Sequence, residues 1–174
     1  MYNYVIYVSI CRYIGTSRSA TYLYIILEYI TGGSIASVLK EFGPCDEELI
    51  RKYTYHIVNG VQYLHKKGII HRDIKGANVL VTENGVAKLA DFGCSKRLAG
   101  MCTTSLEESL KVIKGSVPWM APEVIKQSGY GRSSDIWSIG ATLIEMGRFI
   151  GYIVLSIILY RLYVLLRITV YSRI

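Results

Sequence analysis

Apolar residues recur at spacings of three and four through Ile50, Tyr53, Ile57, Val61 and Leu64. That spacing puts them on one face of an α-helix beginning at Asp46. "HKK" followed by Gly68 supplies its C-terminal stop. Upstream, "YLYIILEYI" (22–30) is a continuous apolar run and reads as a buried strand. The paired glycines Gly32 and Gly33 of "TGGS" make a turn rather than a phosphate cradle, and lead into a short helix, "SIASVLKEFG" (34–43). Downstream, "NVLVTENGVAKLA" (78–90) predicts two strands joined by a turn at Asn84-Gly85. "SSDIWSIGATLIEM" (133–146) predicts a helix capped by Ser133 or Ser134.

The C-terminal end follows another pattern. Residues 149–174, "FIGYIVLSIILYRLYVLLRITVYSRI", carry no acid and no proline and are dominated by Ile, Leu, Val and Tyr. The longest uncharged run, Phe149 to Tyr160, has 12 residues. A membrane-spanning helix needs roughly 20, so a span requires Arg161 inside it or at its edge, between Arg148 and Arg167. The opening "MYNYVIYVSI" has no basic start and no small-residue cleavage site, and does not read as a signal peptide.

At 174 residues, 51% apolar and 19% charged, the chain supports one folded domain with a core. The formal charge of +7 raises a nucleic-acid reading, which its distribution removes. All 13 acidic residues and 14 of the 20 basic ones fall between Glu28 and Glu145, so the centre is nearly neutral. The excess sits outside it, on Arg12, Arg18, Arg148, Arg161, Arg167 and Arg173, with no basic face interleaved with aromatics. No nucleic-acid partner is expected. Cys11, Cys45, Cys94 and Cys102 form no CxxC pair, which argues for reduced thiols in a cytoplasmic setting rather than zinc or disulfides.

Candidate chemistry concentrates in "HKKGIIHRDIKGANVL" (65–80) and the "DFG" at 91–93. Asp73 and Lys75 lie on the loop after the long helix. Asn78 enters the first strand of the hairpin and Asp91 leaves the second, so the hairpin folds the last two towards the first two. Phosphoryl transfer calls for this set of groups. It needs a carboxylate to orient the attacking hydroxyl, a cation near the moving phosphate and oxygen ligands for Mg²⁺.

With "APE" (121–123) and "DIWSIG" (135–140), these segments resemble the eukaryotic protein kinase catalytic domain. A Lys two residues after the Asp is the Ser/Thr form of the loop. "YIGT", "EYITGGSI", "HRDIKGANVLV" and "WMAPEVI" are most similar to mitogen-activated protein kinase kinase kinases, over about four fifths of the chain, from Ile10 to Met146. The resemblance implies an α+β, protein-kinase-like fold, mainly the helical large lobe with the hinge and last strands of the small lobe. It implies Asp73 as catalytic base, Lys75 on the transferred phosphate, and Asn78 and Asp91 on Mg²⁺. Glu28 and Ile30 would offer backbone groups to the adenine of ATP, with Leu27 as gatekeeper and Ile35 and Leu80 below and beside the ring. Arg72 would pair with an activation-loop phosphate, for which Thr103, Thr104, Ser105 and Ser109 are candidates. Ser116, in the same loop, stands where the family usually has Thr. Asp135 would hold the catalytic-loop backbone, and Trp119 and Trp137 would pack in the core or substrate groove. ATP and Mg²⁺ are the implied cofactors, and a protein substrate, such as a downstream kinase, the implied partner.

No GxGxxG occurs, and "VAKL" (86–89) follows the catalytic loop, so it is not the family's nucleotide-binding Lys motif. That Lys, its partner Glu and the Gly-rich loop precede the strand at 22–27 in the family, and Glu123 lacks the Arg it pairs with there. The chain therefore reads as a divergent N-terminus (1–9), a partial kinase domain (10–147) and an apolar basic tail (148–174). The tail is either a membrane segment or an artefact of the gene model. A Ser/Thr kinase, incomplete as written, is the expected function. The alternatives are a catalytically dead kinase-like binding module and a fragment attached to a membrane through 149–174. The expected location is the cytoplasm, with membrane attachment through the tail as its variant.

Overall fold

A computed structural model describes residues 9–98 and 114–147. It begins with strands β1 (Tyr13–Arg18) and β2 (Leu23–Leu27), followed by helices α1 (Ile35–Phe42) and α2 (Glu47–Lys66). Strands β3 (Ile69–Ile70), β4 (Val79–Val81), β5 (Ala87–Leu89) and β6 (Lys96–Arg97) come next, then helices α3 (Pro122–Ile125) and α4 (Arg132–Gly147). The strands pair as three antiparallel ribbons, β1–β2, β3–β6 and β4–β5.

Helix α2 is the centre of the lobe. Asp46 Oδ1 accepts the Leu49 N–H at 2.8 Å, satisfying an orphan donor of the first turn. Gly68, at φ 70°, turns the chain out of the helix. The five residues of the predicted apolar face, Ile50, Tyr53, Ile57, Val61 and Leu64, are all buried. Burial of each such side chain is worth about 1.5–3 kcal/mol. They pack against Ile139, Leu143 and Met146 of α4 and against the β4–β5 hairpin, in one core cluster.

The hairpin alternates. Val79, Val81, Ala87 and Leu89 are buried, while Leu80 and Lys88 between them are half-buried on the opposite side. The turn predicted at Asn84-Gly85 closes it, with Gly85 at φ 68°. Helix α1 lies beside β4. Ser34 Oγ accepts the Ser37 N–H and Ser37 Oγ accepts the Ser34 N–H, at 3.1 and 2.8 Å. Ahead of it the glycine turn presses onto β4. A Cβ at Gly32 would meet the Val81 carbonyl oxygen at 2.3 Å.

Two expectations need correction. The run at 22–30 does form a strand, but every residue of β2 is exposed. Unbroken apolarity marks a strand covered on both faces; among the described residues both faces stay open. Helix α4 starts at Arg132, one residue before the predicted cap. Ser134 sits inside its first turn and accepts the Gly131 N–H at 3.1 Å. No helix among the described residues is long and apolar enough to cross a membrane. The segments 1–8 and 148–174, the latter including the apolar tail, lie outside the described residues.

Candidate active site

The loop between β3 and β4 is pinned from below. Asp135 of α4 is fully buried and accepts the His71 N–H at 3.0 Å and the Arg72 N–H at 2.9 Å, one on each carboxylate oxygen. His65, at the end of α2, places Nε2 2.7 Å from the same carboxylate. Three elements thus converge on one buried acid, and Arg72 takes a left-handed conformation at φ 70°. This is the role expected of Asp135.

His71 fixes the loop to the other side of the site. Its Nε2 donates to the Ala90 carbonyl at 3.1 Å, its Nδ1 accepts the Asp73 N–H at 3.4 Å, and its ring packs 5.1 Å from that of Phe92. These two bonds use both nitrogens in the neutral tautomer. Burial holds the imidazole below its ordinary pKa, against the opposing pull of Asp135 and the Ala90 carbonyl.

Asp73, Lys75 and Asn78 come together on that loop. Asp73 Oδ2 accepts from Asn78 Nδ2 at 2.8 Å and lies 3.0 Å from Lys75 Nζ. Its Oδ1 is buried and has no partner. Burial pushes the Asp73 carboxyl up. Lys75, through its hydrogen bond and its charge, with Ser116 and Asn78 beside it, outweighs burial and holds the group below the ordinary carboxylate value. Asn78 O accepts the Ala90 N–H at 2.9 Å, which sets Asp91 one residue past that bond. Asp91 is exposed, left-handed at φ 57°, and accepts the Gly93 N–H at 3.2 Å.

Ser116, read from the sequence as an activation-loop position, has a partner that the sequence did not show. Lys75 Nζ donates to its Oγ at 2.6 Å, which brings it to the Asp73–Lys75 group. Glu145 of α4 was missed entirely. Its Oε2 accepts the Gly76 N–H at 2.8 Å and the Trp119 indole N–H at 2.9 Å, joining the catalytic loop to the segment before α3. Trp137 is half exposed on α4 and lies outside the core. Glu123 accepts from Ser134 Oγ at 3.0 Å and Ser133 Oγ at 3.5 Å, so it has partners within this lobe. Arg72 Nε donates to the Cys94 carbonyl at 2.5 Å, and its guanidinium lies 5.3 Å from the Tyr130 ring. Thr103, Thr104, Ser105 and Ser109 lie outside the described residues.

The residues read as the nucleotide edge surround β4. Leu80 is half-buried and opposite Lys88 in the ladder. Ile35 is fully buried in the lobe core. It has no surface to offer a ring, because α1 packing buries it, whereas Leu80 and Lys88 line the open side of the hairpin. Glu28 N–H donates to Arg12 O at 2.9 Å, and the Glu28 carboxylate is bound by Lys88. Ile30, half-buried, follows two residues on. Burial raises the Glu28 carboxyl, but hydrogen bonds from Lys88 and Arg12 bring it below the ordinary value.

Residues 3–152 match the protein kinase domain family, and the chain belongs to it. Over 138 residues it is 51% identical to mitogen-activated protein kinase kinase kinase A of Dictyostelium discoideum, covering 79% of this chain and 14% of that protein. It is 51% identical over 138 residues to mitogen-activated protein kinase kinase kinase ANP1 of Arabidopsis thaliana, covering 79% of this chain and 20% of that protein. With mitogen-activated protein kinase kinase kinase 19 of Mus musculus the identity is 51% over 142 residues, covering 80% and 11%. The chain thus spans a fifth or less of the length of these relatives. The family uses ATP and Mg²⁺.

Proposed function

We propose that this chain carries the catalytic part of a cytoplasmic protein Ser/Thr kinase of the mitogen-activated protein kinase kinase kinase type. Its substrate would be a Ser or Thr hydroxyl on a protein, such as a downstream kinase. The observation that carries the reading is Asp73 Oδ1, a buried acceptor without a donor, on a carboxylate whose other oxygen is already held. Leaving such an atom unpaired costs about 1–3 kcal/mol, and an incoming hydroxyl relieves that cost. The similarity to the kinase kinase kinases supports the type, and the free thiols of Cys11, Cys45 and Cys94 support a cytoplasmic setting.

In the transfer, the substrate oxygen forms a bond to the γ-phosphorus while the bond to the β–γ bridging oxygen breaks. The hydroxyl proton passes to Asp73 Oδ1, and ADP leaves. Lys75, held between Asp73 and Ser116, would present its ammonium to the moving phosphoryl group. Asn78 and Asp91 would hold Mg²⁺, which when bound neutralises phosphate charge. Among the described residues no group of three or more His, Cys, Asp or Glu gathers as a metal cage. Mg²⁺ is usually held by one or two carboxylates with phosphate oxygens, and Asp91 would supply one such carboxylate. The N–H of Glu28 is taken by Arg12, so Glu28 would meet adenine through its carbonyl.

The test is incubation of the purified chain with Mg-ATP and a mitogen-activated protein kinase kinase. Phosphate on Ser or Thr, dependent on Mg²⁺, is expected. Phosphate on Tyr overturns the class, and no transfer at all leaves the kinase-like binding module.

A further inference from the structure

Lys88 has no part in the transfer just described, yet it is held by a half-buried carboxylate. It stands directly opposite Leu80 in the β4–β5 ladder, and directly opposed residues project from the same face. Its Nζ lies 2.7 and 2.9 Å from the two carboxylate oxygens of Glu28, with side chains only 13% and 19% exposed. The same carboxylate accepts the Arg12 N–H at 2.7 Å, so its orientation is fixed from a second direction.

Beyond Glu28 the chain crosses the hairpin and is fastened again at β4. Tyr29 points outward, 91% exposed, and Ile30 is half-buried. Gly33 O then accepts the Val81 N–H at 2.8 Å, Ser34 bridges to Leu80, and Gly32 leaves no room for a Cβ above the Val81 carbonyl. Residues 28–33 are therefore a strap across the Leu80–Lys88 face. One end is tied by backbone to β4; the other is tied to β5 by the ion pair, beside the Glu28 N–H on Arg12 O and the Cys11 N–H on Leu89 O.

We propose that the Glu28–Lys88 pair sets the height of this strap above Leu80, making Lys88 a positioning residue for nucleotide affinity. This rests on the reading of Glu28, Ile30 and Leu80 as the nucleotide edge. Only backbone bonds hold the β4 end, whereas at the Glu28 end a side-chain ion pair adds to the Arg12 backbone bond, so the ion pair is the part that a side-chain change can adjust. Losing it leaves the Glu28 carboxylate half-buried with only the Arg12 N–H. The strap then lifts at the position whose carbonyl would meet adenine.

The experiment compares the chain with Lys88→Met, which keeps the stem and removes the charge, and with the exchanged pair Glu28→Lys/Lys88→Glu. Mg-ATP binding is measured by calorimetry, and amide exchange is measured along the chain. Lys88→Met is expected to weaken Mg-ATP binding about 3- to 10-fold, the range for a charged hydrogen bond acting at one remove. It should also speed exchange within 28–33 but not within α2, and leave KM for the protein substrate unchanged. The exchanged pair restores the charge pairing but not the acceptor for the Arg12 N–H, so it should recover only part of the affinity. Unchanged affinity and unchanged exchange at 28–33 in Lys88→Met overturn the proposal, as does loosening spread equally over 28–33 and α2. If the unaltered chain binds no Mg-ATP, the nucleotide reading falls. The exchange comparison still decides the strap: selective loosening at 28–33 supports the anchor, and none overturns it.

Discussion

The Lys75 ammonium donates to Ser116 Oγ at 2.6 Å, across 41 residues of sequence. With Asp73 Oδ2 3.0 Å away, the amine is held on two sides. A phosphate on Ser116 would set a second negative group beside Asp73. Ser116→Asp is therefore expected to lower phosphotransfer at least 10-fold rather than activate it, and Ser116→Ala to lower it by about 10-fold through a loosely held Lys75. Ser116→Thr, which keeps the hydroxyl, should stay within about 2-fold. Initial rates at saturating Mg-ATP decide; activation by Ser116→Asp contradicts the placement.

Asp135 is a stability residue before it is anything else. Asp135→Ala strips partners from two buried backbone N–H groups and from His65 at once. A loss of about 3–5 kcal/mol is expected. Urea unfolding measures it, and a change below about 1 kcal/mol would show that the loop is held by other means.

Acid should loosen the lobe before carboxylates titrate. His56 Nδ1 accepts the Ala87 N–H at 3.2 Å, tying α2 to β5. Burial, then the Lys52 charge, hold His56 below the ordinary imidazole value of 6.5, and burial does the same for His71. Both are neutral in the fold, whereas the unfolded chain takes up protons near 6.5. The unfolded state therefore binds more protons as pH falls from about 6.5, and stability declines until the folded-state values are passed. The urea midpoint should drop between about pH 7 and 5.5, less steeply in His56→Gln. A midpoint that is flat or rises on acidification contradicts this.

Gly76 leaves room for Glu145. A Cβ there would meet Glu145 Oε1 at 2.6 Å, forcing the carboxylate off the Gly76 N–H and the Trp119 indole. Gly76→Ala is expected to lower kcat about 10- to 100-fold through displacement of the catalytic loop. Steady-state kinetics with a thermal-midpoint control read this out. A kcat within 2-fold of the unaltered chain would show that Glu145 does not position the loop.

What was legible in the sequence was whatever repeats locally. The face of α2 repeats every three to four residues, and the hairpin is marked by the Asn84-Gly85 turn between two apolar runs, so both elements were found. The Asp73–Lys75–Asn78 loop was found because its groups lie within six residues. Burial of β2 was misjudged because an apolar run specifies a strand but not what lies over it. Glu145 and Lys88, and the contact of Ser116 with Lys75, escaped for one reason. Each acts on a residue tens of positions away, and in the sequence each looks like an ordinary polar residue on a loop, helix or strand.

The most direct test of the account is the initial rate of phosphotransfer from Mg-ATP by the purified chain and by Asp73→Asn, on the same protein substrate. The Asn keeps the shape and the contacts of Oδ2 but cannot take the hydroxyl proton. The account predicts measurable transfer by the unaltered chain and a loss of about 10²- to 10⁴-fold in Asp73→Asn, with the fold intact. Equal rates in the two proteins would contradict it.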